Sequence, residues 1–309
     1  MFDNINLKIN NFTTDEFWKF IDTAQIERPN ESEKIKFDWH NLRIEYYPNA
    51  KTLNIKNSIH KFYNSIFNEL IRAPVNYNNF TYSDLCFLTD YFSIAVFDRD
   101  PKDFTIFSKF EYGVNLDTGP INSIDVINRY LSYSSTTINE FYAVPPYKGK
   151  SIGKTCYFSD FRIKMYDKVK ESKSSSYLLK FKYSILRYEL VITEIRHLKK
   201  LLNQGCITLH DLNIQENWLK LFNHLVKLYK SIKKIPMIET EINNIDIYSI
   251  YAYCNKLLAE DIKRNKNKHT YDKLRANFKK IYDQYDSSAH NLHNVILCQL
   301  ENKIYDLLN

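Results

Sequence analysis

The sequence predicts an α+β fold, in which an antiparallel sheet with one helix-covered face and one open hydrophilic face is followed by an all-helical C-terminal region. Three groups of segments with alternating apolar and polar residues predict the sheet, because strand side chains point to opposite faces in turn. An antiparallel sheet of this kind buries one face and leaves the other to solvent. Apolar residues at three- and four-residue steps predict the helices, and beyond residue 195 this spacing continues almost to the end.

The first half of the chain alternates between predicted helices and strands. Thr13 or Thr14 is suited to cap the first helix, and Pro74 ends the second, because proline lacks the amide hydrogen that a helix needs. His60 falls on the polar side of the first hairpin. The predicted elements are a helix at 15–24, a hairpin of strands at 42–47 and 52–60, a helix at 59–73, a helix from 83 or 84 to about 95, a strand at 104–117, a helix at 123–133 and a strand at 138–144.

Residues 157–195 predict a second hairpin, reached through a turn at Pro145 and Pro146 and a loop at 148–154. A charged, serine-rich loop at 171–176 separates its two strands. Pairing of these strands places their polar residues on one hydrophilic face. The polar positions are Arg162, Lys164, Tyr166, Lys168 and Lys170 on the first strand, and Arg187 and Glu189 on the second.

The remainder of the chain predicts helices at 194–203, 208–212, 215–232, 244–262, 270–285 and 289–308. Gly205 is suited to close the first of them. The change from mixed strands and helices to helices alone predicts two domains, at 1–205 and 206–309. His290 and His293 lie three residues apart on the last helix. Without an acidic or cysteine partner close by in sequence, they are expected to face solvent rather than to bind a metal.

The bulk composition favours a folded intracellular protein. The 309 residues are 44% hydrophobic, which is enough for a substantial core. The five cysteines are scattered singly, without the close pairs of a disulfide framework or a zinc site, which predicts a reducing, cytoplasmic location. No run approaches the roughly 20 apolar residues of a membrane span, so no membrane partner is expected. The glycine-poor chain has no phosphate-binding loop and no dinucleotide fingerprint.

Positive charge is concentrated around and after the second hairpin. Residues 160–234 contain 16 Lys and Arg against 7 Asp and Glu, whereas the whole chain has a net charge of +7. A clustered positive field is the electrostatic footprint of a polyanion partner such as nucleic acid. Solvated helix faces in a lysine-rich chain are the alternative explanation.

The predicted open face combines a phenol, cations and carboxylates. A tyrosine nucleophile, cations for a phosphate and a carboxylate for a metal are the groups that a phosphodiester-cleaving tyrosine transferase needs. Glu111 lies in a strongly apolar strand, where a carboxylate is costly unless it is paired or binds a metal. Structural interpretations stay open as well: Arg187 and Glu189 also fit a cross-strand ion pair, and His60 fits a hydrogen bond to the backbone.

The predicted second hairpin contains two motifs, one on each strand. The first is Tyr-x-Lys, formed by Tyr166 and Lys168, and the second is Arg-x-Glu, formed by Arg187 and Glu189. The helix Ile-Arg-His-Leu-Lys-Lys-Leu follows them. In order and spacing these segments resemble the phage and plasmid replication proteins of the filamentous-phage gene II/gene X type.

Upstream segments extend the resemblance over about residues 40–212. The hairpin that ends at His60 is similar to the family's N-terminal hairpin, and the segment Phe-Glu-Tyr-Gly-Val-Asn around Glu111 is similar to its acidic strand. This chain lacks the pair of histidines flanking an apolar residue that many initiator nucleases have. Glu111 also stands at a position where aspartate occurs in the family. These departures affect the expected metal ligands more than the expected nucleophile.

The resemblance implies a rolling-circle initiator endonuclease, which nicks one strand at an origin and rejoins it after a round of synthesis. Its open sheet face is then a catalytic face within a nicking domain at 1–205, and the helical region at 206–309 is expected to bind DNA or to serve as an accessory region. Tyr166 matches the nucleophile, which forms a 5′-phosphotyrosyl link and leaves a 3′-hydroxyl primer. Lys168 and Arg187 are the other expected catalytic residues, and Lys168 is expected to lower the pKa of the phenol. Mg²⁺ or Mn²⁺ is the expected cofactor, with Glu111, Glu189 and His60 as its ligands; the expected DNA-binding residues are Arg162, Lys164, Lys170 and Lys56.

The partners that this interpretation implies are single-stranded and supercoiled origin DNA, with a host helicase and polymerase, in the cytoplasm of a bacterial host. Two alternatives stay open. A non-catalytic origin-binding initiator or partitioning protein uses the polar face or the C-terminal helices for binding alone. A processing endonuclease acts on a host nucleic acid.

Overall fold

The computed structural model describes residues 1–30, 32–119, 121–134, 138–144, 151–171, 184–237, 242–287 and 291–308. The predicted turn at Pro145 and Pro146, the predicted loop at 171–176 apart from its first residue, and His290 lie outside the described residues. The described part confirms the predicted α+β class, since one large antiparallel sheet is accompanied by helices that are concentrated in the C-terminal region.

Eleven strands in the described part form this sheet, and each neighbouring pair of strands is antiparallel. Their order across the sheet is β11-β6-β7-β8-β9-β10-β5-β1-β4-β3-β2, so the longest strand, β5, lies near the centre between β10 and β1. The strands are β1 (Phe2–Asn10), β2 (Ile35–Trp39), β3 (Leu42–Tyr47), β4 (Thr52–Lys56), β5 (Phe104–Asp117), β6 (Tyr130–Ser134), β7 (Ile138–Ala143), β8 (Gly153–Tyr157), β9 (Phe161–Asp167), β10 (Ile185–Ile192) and β11 (Ile232–Lys234).

The helices of the described ranges begin with α1, which Thr13 caps through a capping box with Glu16, as the sequence predicts. α3 continues into a π-helical turn, and a 3₁₀ turn precedes β5. None of these helices is long and apolar enough to cross a membrane. They are α1 (Thr14–Thr23), α2 (Ile59–Ile66), α3 (Tyr82–Asp90), α4 (Ser123–Asn128), α5 (Lys168–Glu171), α6 (Ile195–Leu202), α7 (Leu209–Leu212), α8 (Gln215–Lys230), α9 (Asn244–Cys254), α10 (Lys256–Asn265), α11 (Lys268–Asp286) and α12 (Leu292–Leu308).

Five strands of the described part are not predicted by the sequence pattern: β1, β2, β6, β8 and β11. In β1 a register shift between Phe2 and Ile5 interrupts the alternation, so the strand signal is short. β8 falls partly in the segment expected to be a loop. The predicted helix at 123–133 is wrong in its second half, because α4 ends at Asn128 and β6 begins at Tyr130.

The C-terminal region differs from expectation at three points. Asn203, not Gly205, takes the left-handed conformation that ends α6, with φ at 57°. The predicted helix at 244–262 is two helices, because Asn255 ends α9 and its side chain caps α10. The strand β11 pairs with β6, so the region is not helical throughout.

The back of the sheet packs against α8 and α12. The ring centroid of Trp218 on α8 lies 4.5 Å from that of Phe2 on β1. The Tyr188 hydroxyl of β10 donates a hydrogen bond to the carbonyl oxygen of Leu225 at 3.0 Å. Residues of α12 belong to the same core. The predicted boundary at residue 205 therefore does not coincide with a break in this core, and the accessory role of the later region stays a prediction.

His293, which the sequence suggests is solvent-facing, is buried where α12 meets the sheet. Its Nε2 lies 3.1 Å from the carbonyl oxygen of Ile235, and its ring centroid is 5.3 Å from that of Tyr130. Its Nδ1 has no hydrogen-bond partner among the described residues. Burial, together with the nearby positive charge of Lys234, lowers the pKa of His293 to about 3. The imidazole is therefore neutral in the folded protein.

We expect His293 to make the fold sensitive to acid. Its pKa of about 3 lies below the ordinary value of 6.5, so the unfolded chain binds more protons between these values and stability falls as the pH falls. The share due to His293 between about pH 7 and about pH 5 is about 2 kcal/mol. Urea unfolding at both pH values is expected to show a smaller loss of stability for His293→Asn than for the wild type.

His269 is exposed on α11 and provides the control. His269→Asn is expected to keep the wild-type pH dependence of the unfolding free energy. An identical pH dependence for the wild type and His293→Asn would contradict the assignment.

Candidate active site

The register of three central strands brings polar residues of the predicted hairpin together. β9 and β10 pair with Arg187 opposite Tyr166 and with Glu189 opposite Lys164. β10 also pairs with β5, which places Gly113 opposite Glu189. Directly opposed residues of antiparallel strands point to the same face of a sheet. These side chains therefore share the polar face, away from α8 and α12.

A buried ion pair lies at the centre of this face. Arg187 is fully buried, and its Nε donates a hydrogen bond to Oε1 of Glu189 at 2.7 Å. Asp3 on β1 lies 3.5 Å from the guanidinium, and Oδ1 of Asn115 accepts a hydrogen bond from it at 3.2 Å. Burial acts against the charge of Arg187, but the carboxylates of Glu189 and Asp3 outweigh it and raise the arginine pKa. The guanidinium is thus a permanent cation beneath the open face.

Tyr166 is partly exposed, and its hydroxyl donates a hydrogen bond to the same Oε1 of Glu189 at 3.1 Å. Burial of the hydroxyl, and then the negative charge of Glu189, raise the pKa of Tyr166 well above its ordinary value. The phenol is therefore protonated near neutral pH, with its proton directed at a carboxylate.

Lys168 is the first residue of α5 rather than a strand residue, because β9 ends at Asp167. Its ammonium lies 2.7 Å from a carboxylate oxygen of Glu171 and 5.8 Å from the ring centroid of Tyr166. Burial of the side chain lowers the pKa of Lys168. The expectation that Lys168 lowers the pKa of the phenol does not agree with the raised pKa of Tyr166.

Glu111 is buried on the same face and has three donors around it. The side-chain amide of Asn4 donates a hydrogen bond to Oε2, and the ammonium groups of Lys109 and Lys164 lie 2.9 and 3.3 Å from Oε1. Lys164 also lies 3.9 Å from Oε2 of Glu189. Lys164 therefore bridges the two carboxylates.

His60 is fully buried on α2 rather than exposed on the polar face. β4 ends at Lys56, Ser58 caps α2 and His60 is the second residue of that helix, so the strand alternation does not extend to it. Its Nε2 lies 2.9 Å from Oδ1 of Asn78, and its ring centroid is 5.2 Å from that of Phe80. Burial lowers the pKa of His60 well below its ordinary value. The structure does not bring His60 together with the two carboxylates.

Glu111 and Glu189 remain as the candidate metal ligands. In the ranges that the structure describes, no group of three or more His, Cys, Asp or Glu side chains is placed to hold a metal ion. Two carboxylates nevertheless suit Mg²⁺ or Mn²⁺, because these ions prefer oxygen ligands and commonly complete their coordination with water and substrate phosphates. Both carboxylates are buried and already in contact with a cation, which fits a cation-binding role.

The predicted DNA-binding cations are spread over several elements. The ammonium groups of Lys170 and Lys56 lie 3.3 and 2.9 Å from carboxylate oxygens of neighbouring side chains. Lys164 lines the cleft, Arg162 lies two residues before it on β9, Lys170 is on α5 and Lys56 ends β4.

Two residues of β1 belong to the site but are not predicted by the sequence pattern. Asp3 and Asn4 line the same cleft, of about 280 Å³, as Glu111 and Tyr166. Asp3 accepts hydrogen bonds from the hydroxyl of Ser58 and, at 2.6 Å, from the side-chain amide of Asn76. The sequence does contain a signal for this strand, because Asn and Lys alternate with apolar residues over 5–10. Such alternation predicts a strand with one polar face.

Two glycines make room for Tyr166 and Glu189. Gly153 on β8 is opposite Tyr166, and Gly113 on β5 is opposite Glu189. A Cβ added at Gly153 would lie 2.6 Å from the Cβ of Tyr166, and one added at Gly113 would lie 2.9 Å from the Cγ of Glu189. Close approach of this kind favours glycine, because a larger residue would force the neighbouring backbone to move.

In comparisons with known proteins, no family model matches this chain and no curated protein sequence matches it.

We expect Gly113→Ala to destabilise the fold. The added Cβ would lie 2.2 Å from the carbonyl oxygen of Tyr188 and 2.8 Å from the Cα of Glu189, so the backbone of β10 must move. Overpacking of this kind costs about 1–3 kcal/mol, which urea unfolding measures.

Gly205 provides a matched control, because an added Cβ there has no neighbour within 4 Å. Gly205→Ala is expected to change the unfolding free energy by no more than about 0.5 kcal/mol. Equal effects of the two substitutions would show that the approach of β5 to Glu189 is not tight.

Proposed function

We propose that the chain is a rolling-circle replication initiator, which nicks one DNA strand at an origin through Tyr166 and later rejoins it. The observation that carries this proposal is the hydrogen bond from the Tyr166 hydroxyl to Glu189, whose other close partner is the buried Arg187. A tyrosine nucleophile needs a base beside it, and a buried cation nearby stabilises negative charge. The Tyr-x-Lys and Arg-x-Glu motifs support the same function.

In the proposed reaction the phenol oxygen of Tyr166 attacks the scissile phosphorus, and its proton passes to Oε1 of Glu189. The bond from phosphorus to the 3′ oxygen breaks, which leaves a 5′-phosphotyrosyl link. Lys168 is our candidate donor of a proton to the departing 3′ oxygen, because burial lowers the pKa of its ammonium. The reverse reaction reseals the strand without ATP, since the phosphotyrosyl bond keeps the energy of the phosphodiester.

Glu111 and Oε2 of Glu189 would hold Mg²⁺ or Mn²⁺, which when bound supplies positive charge to the scissile phosphate. The two oxygens of Glu189 then have separate tasks. Oε1 contacts Tyr166 and Arg187, whereas Oε2 is directed towards Lys164 and Glu111. Glu189 can thus serve the nucleophile and the metal together.

The proposed partner is single-stranded and supercoiled origin DNA, and the 3′-hydroxyl product suits extension by a host polymerase behind a host helicase in the bacterial cytoplasm. Arg162, Lys170 and Lys56 are the proposed phosphate contacts on the sheet side. The helices α10 and α11, which span 256–286, carry nine Lys and Arg against five Asp and Glu. Contacts of this kind predict a DNA affinity that falls with salt.

A second candidate is a non-catalytic origin-binding initiator or partitioning protein. Glu111, Glu189 and Asp3 each have a basic partner in the described part of the chain. Such pairing also occurs in ion-pair networks that are only structural. In this case Tyr166 and the metal contribute nothing to DNA binding.

We expect Tyr166→Phe to lose covalent attachment to DNA, because it lacks the nucleophilic oxygen. The wild type, incubated with supercoiled and single-stranded origin-bearing DNA and Mn²⁺, is expected to give an SDS-resistant protein–DNA adduct on a denaturing gel. Tyr166→Phe is expected to give none while it retains its DNA affinity.

Tyr157 on the neighbouring strand β8 is 56% exposed and provides the control, since Tyr157→Phe is expected to keep the adduct. An equal adduct from Tyr166→Phe would assign the nucleophile to another tyrosine. Tight DNA binding by the wild type without any adduct or nick would favour the non-catalytic initiator.

A further inference from the structure

We infer that Lys164 is a resident cation of the carboxylate pair, which occupies the position between Glu111 and Glu189 and must leave it when a divalent ion binds there. This inference rests on the proposed function for the presence of the ion. It adds a second role for Lys164 to the phosphate contact that the sequence suggests.

The contacts of Lys164 distinguish it from the other cations of the cleft. Its ammonium lies 3.3 Å from Oε1 of Glu111 and 3.9 Å from Oε2 of Glu189. Lys109 contacts Glu111, and Arg187 contacts Glu189 through Oε1. In the described part of the chain, Lys164 is therefore the basic side chain that bridges both carboxylates.

The two carboxylates need a cation between them. The side chains of Glu111 and Glu189 are 3% and 2% exposed, and two buried like charges repel each other while they lose hydration. An ammonium placed between them offsets both costs. A divalent ion offers twice the charge at the same place, so it competes with Lys164 for the same oxygens.

The side chain of Lys164 is able to leave. It is 26% exposed and has the flexible stem of a lysine, whereas Arg187 is fully buried and fixed by several partners. Once displaced, the ammonium stays at the rim of the cleft, where it can contact a phosphate of the bound strand. Metal binding and DNA binding are then coupled through one side chain, because each favours the displaced position of Lys164.

The test is the affinity of the protein for Mn²⁺ in the absence of DNA, measured by titration with electron paramagnetic resonance of the free ion. Lys164→Gln is expected to bind Mn²⁺ about tenfold more tightly than the wild type, because the competing charge is removed from contact distance. Lys109→Gln is the matched control. It removes the same charge from beside Glu111 but not from between the carboxylates, so its gain is expected to be about threefold or less.

Glu111→Gln is expected to abolish the tight binding of Mn²⁺ in both the wild-type and the Lys164→Gln backgrounds, and circular dichroism checks that each variant is folded. Equal affinities for Lys164→Gln and Lys109→Gln, weaker binding by Lys164→Gln, or no saturable Mn²⁺ binding by any variant would overturn the inference. The experiment uses no DNA and scores no covalent adduct. A missing adduct with wild-type protein would refute the proposed reaction while the competition between Lys164 and Mn²⁺ still stands.

Discussion

The polar face of the sheet depends on the buried pair of Arg187 and Glu189. A fully buried guanidinium costs several kcal/mol unless it is paired and hydrogen-bonded, and here the partners come from three strands. Glu189 shares β10 with the arginine, Asn115 comes from β5 and Asp3 comes from β1. A slip of one residue in the register of β5 or β1 would turn its partner of Arg187 to the other face of the sheet. The charge of Arg187 therefore requires the register of β10, β5 and β1 that surrounds Glu189, the partner of Tyr166.

Long-range strand order completes the site, and this is the part that the sequence could not supply. The hairpin of β9 and β10 and the strand β5 could be predicted because their alternation is regular, and the shared face of Tyr166, Arg187 and Glu189 follows from alternation alone. The position of β1 between β5 and β4 depends on the order of the strands across the whole sheet. The contribution of Asp3 and Asn4 to the cleft could not be read from local pattern, since a register shift interrupts β1 before Ile5.

Two individual side chains show the same limit. The alternation of β4, extended to residue 60, predicts His60 on the polar face. The hydroxyl of Ser58 instead accepts a hydrogen bond from the amide of Lys61 and starts a helix two residues before the predicted strand would end. Lys164 lies on the face of Tyr166, as the alternation predicts, yet its contact with Glu111 is a diagonal one across β10. Diagonal neighbours depend on the register of three strands at once, so no single segment contains the signal.

The glycines bear on whether the ion-pair network is only structural. A structural ion pair on a sheet face needs no glycine opposite it. Glycine within a strand weakens the strand, because it loses more backbone entropy on folding than other residues and packs no side chain. Here both Tyr166 and Glu189 lie opposite a glycine, and at each position an added Cβ would be closer than 3.0 Å to the opposing residue. The sheet therefore lacks a packed side chain at the two positions opposite the phenol and the carboxylate that share a hydrogen bond. Glycines placed opposite both members of one hydrogen-bonded pair are expected of a site shaped for chemistry, and this supports the catalytic proposal over the binding one.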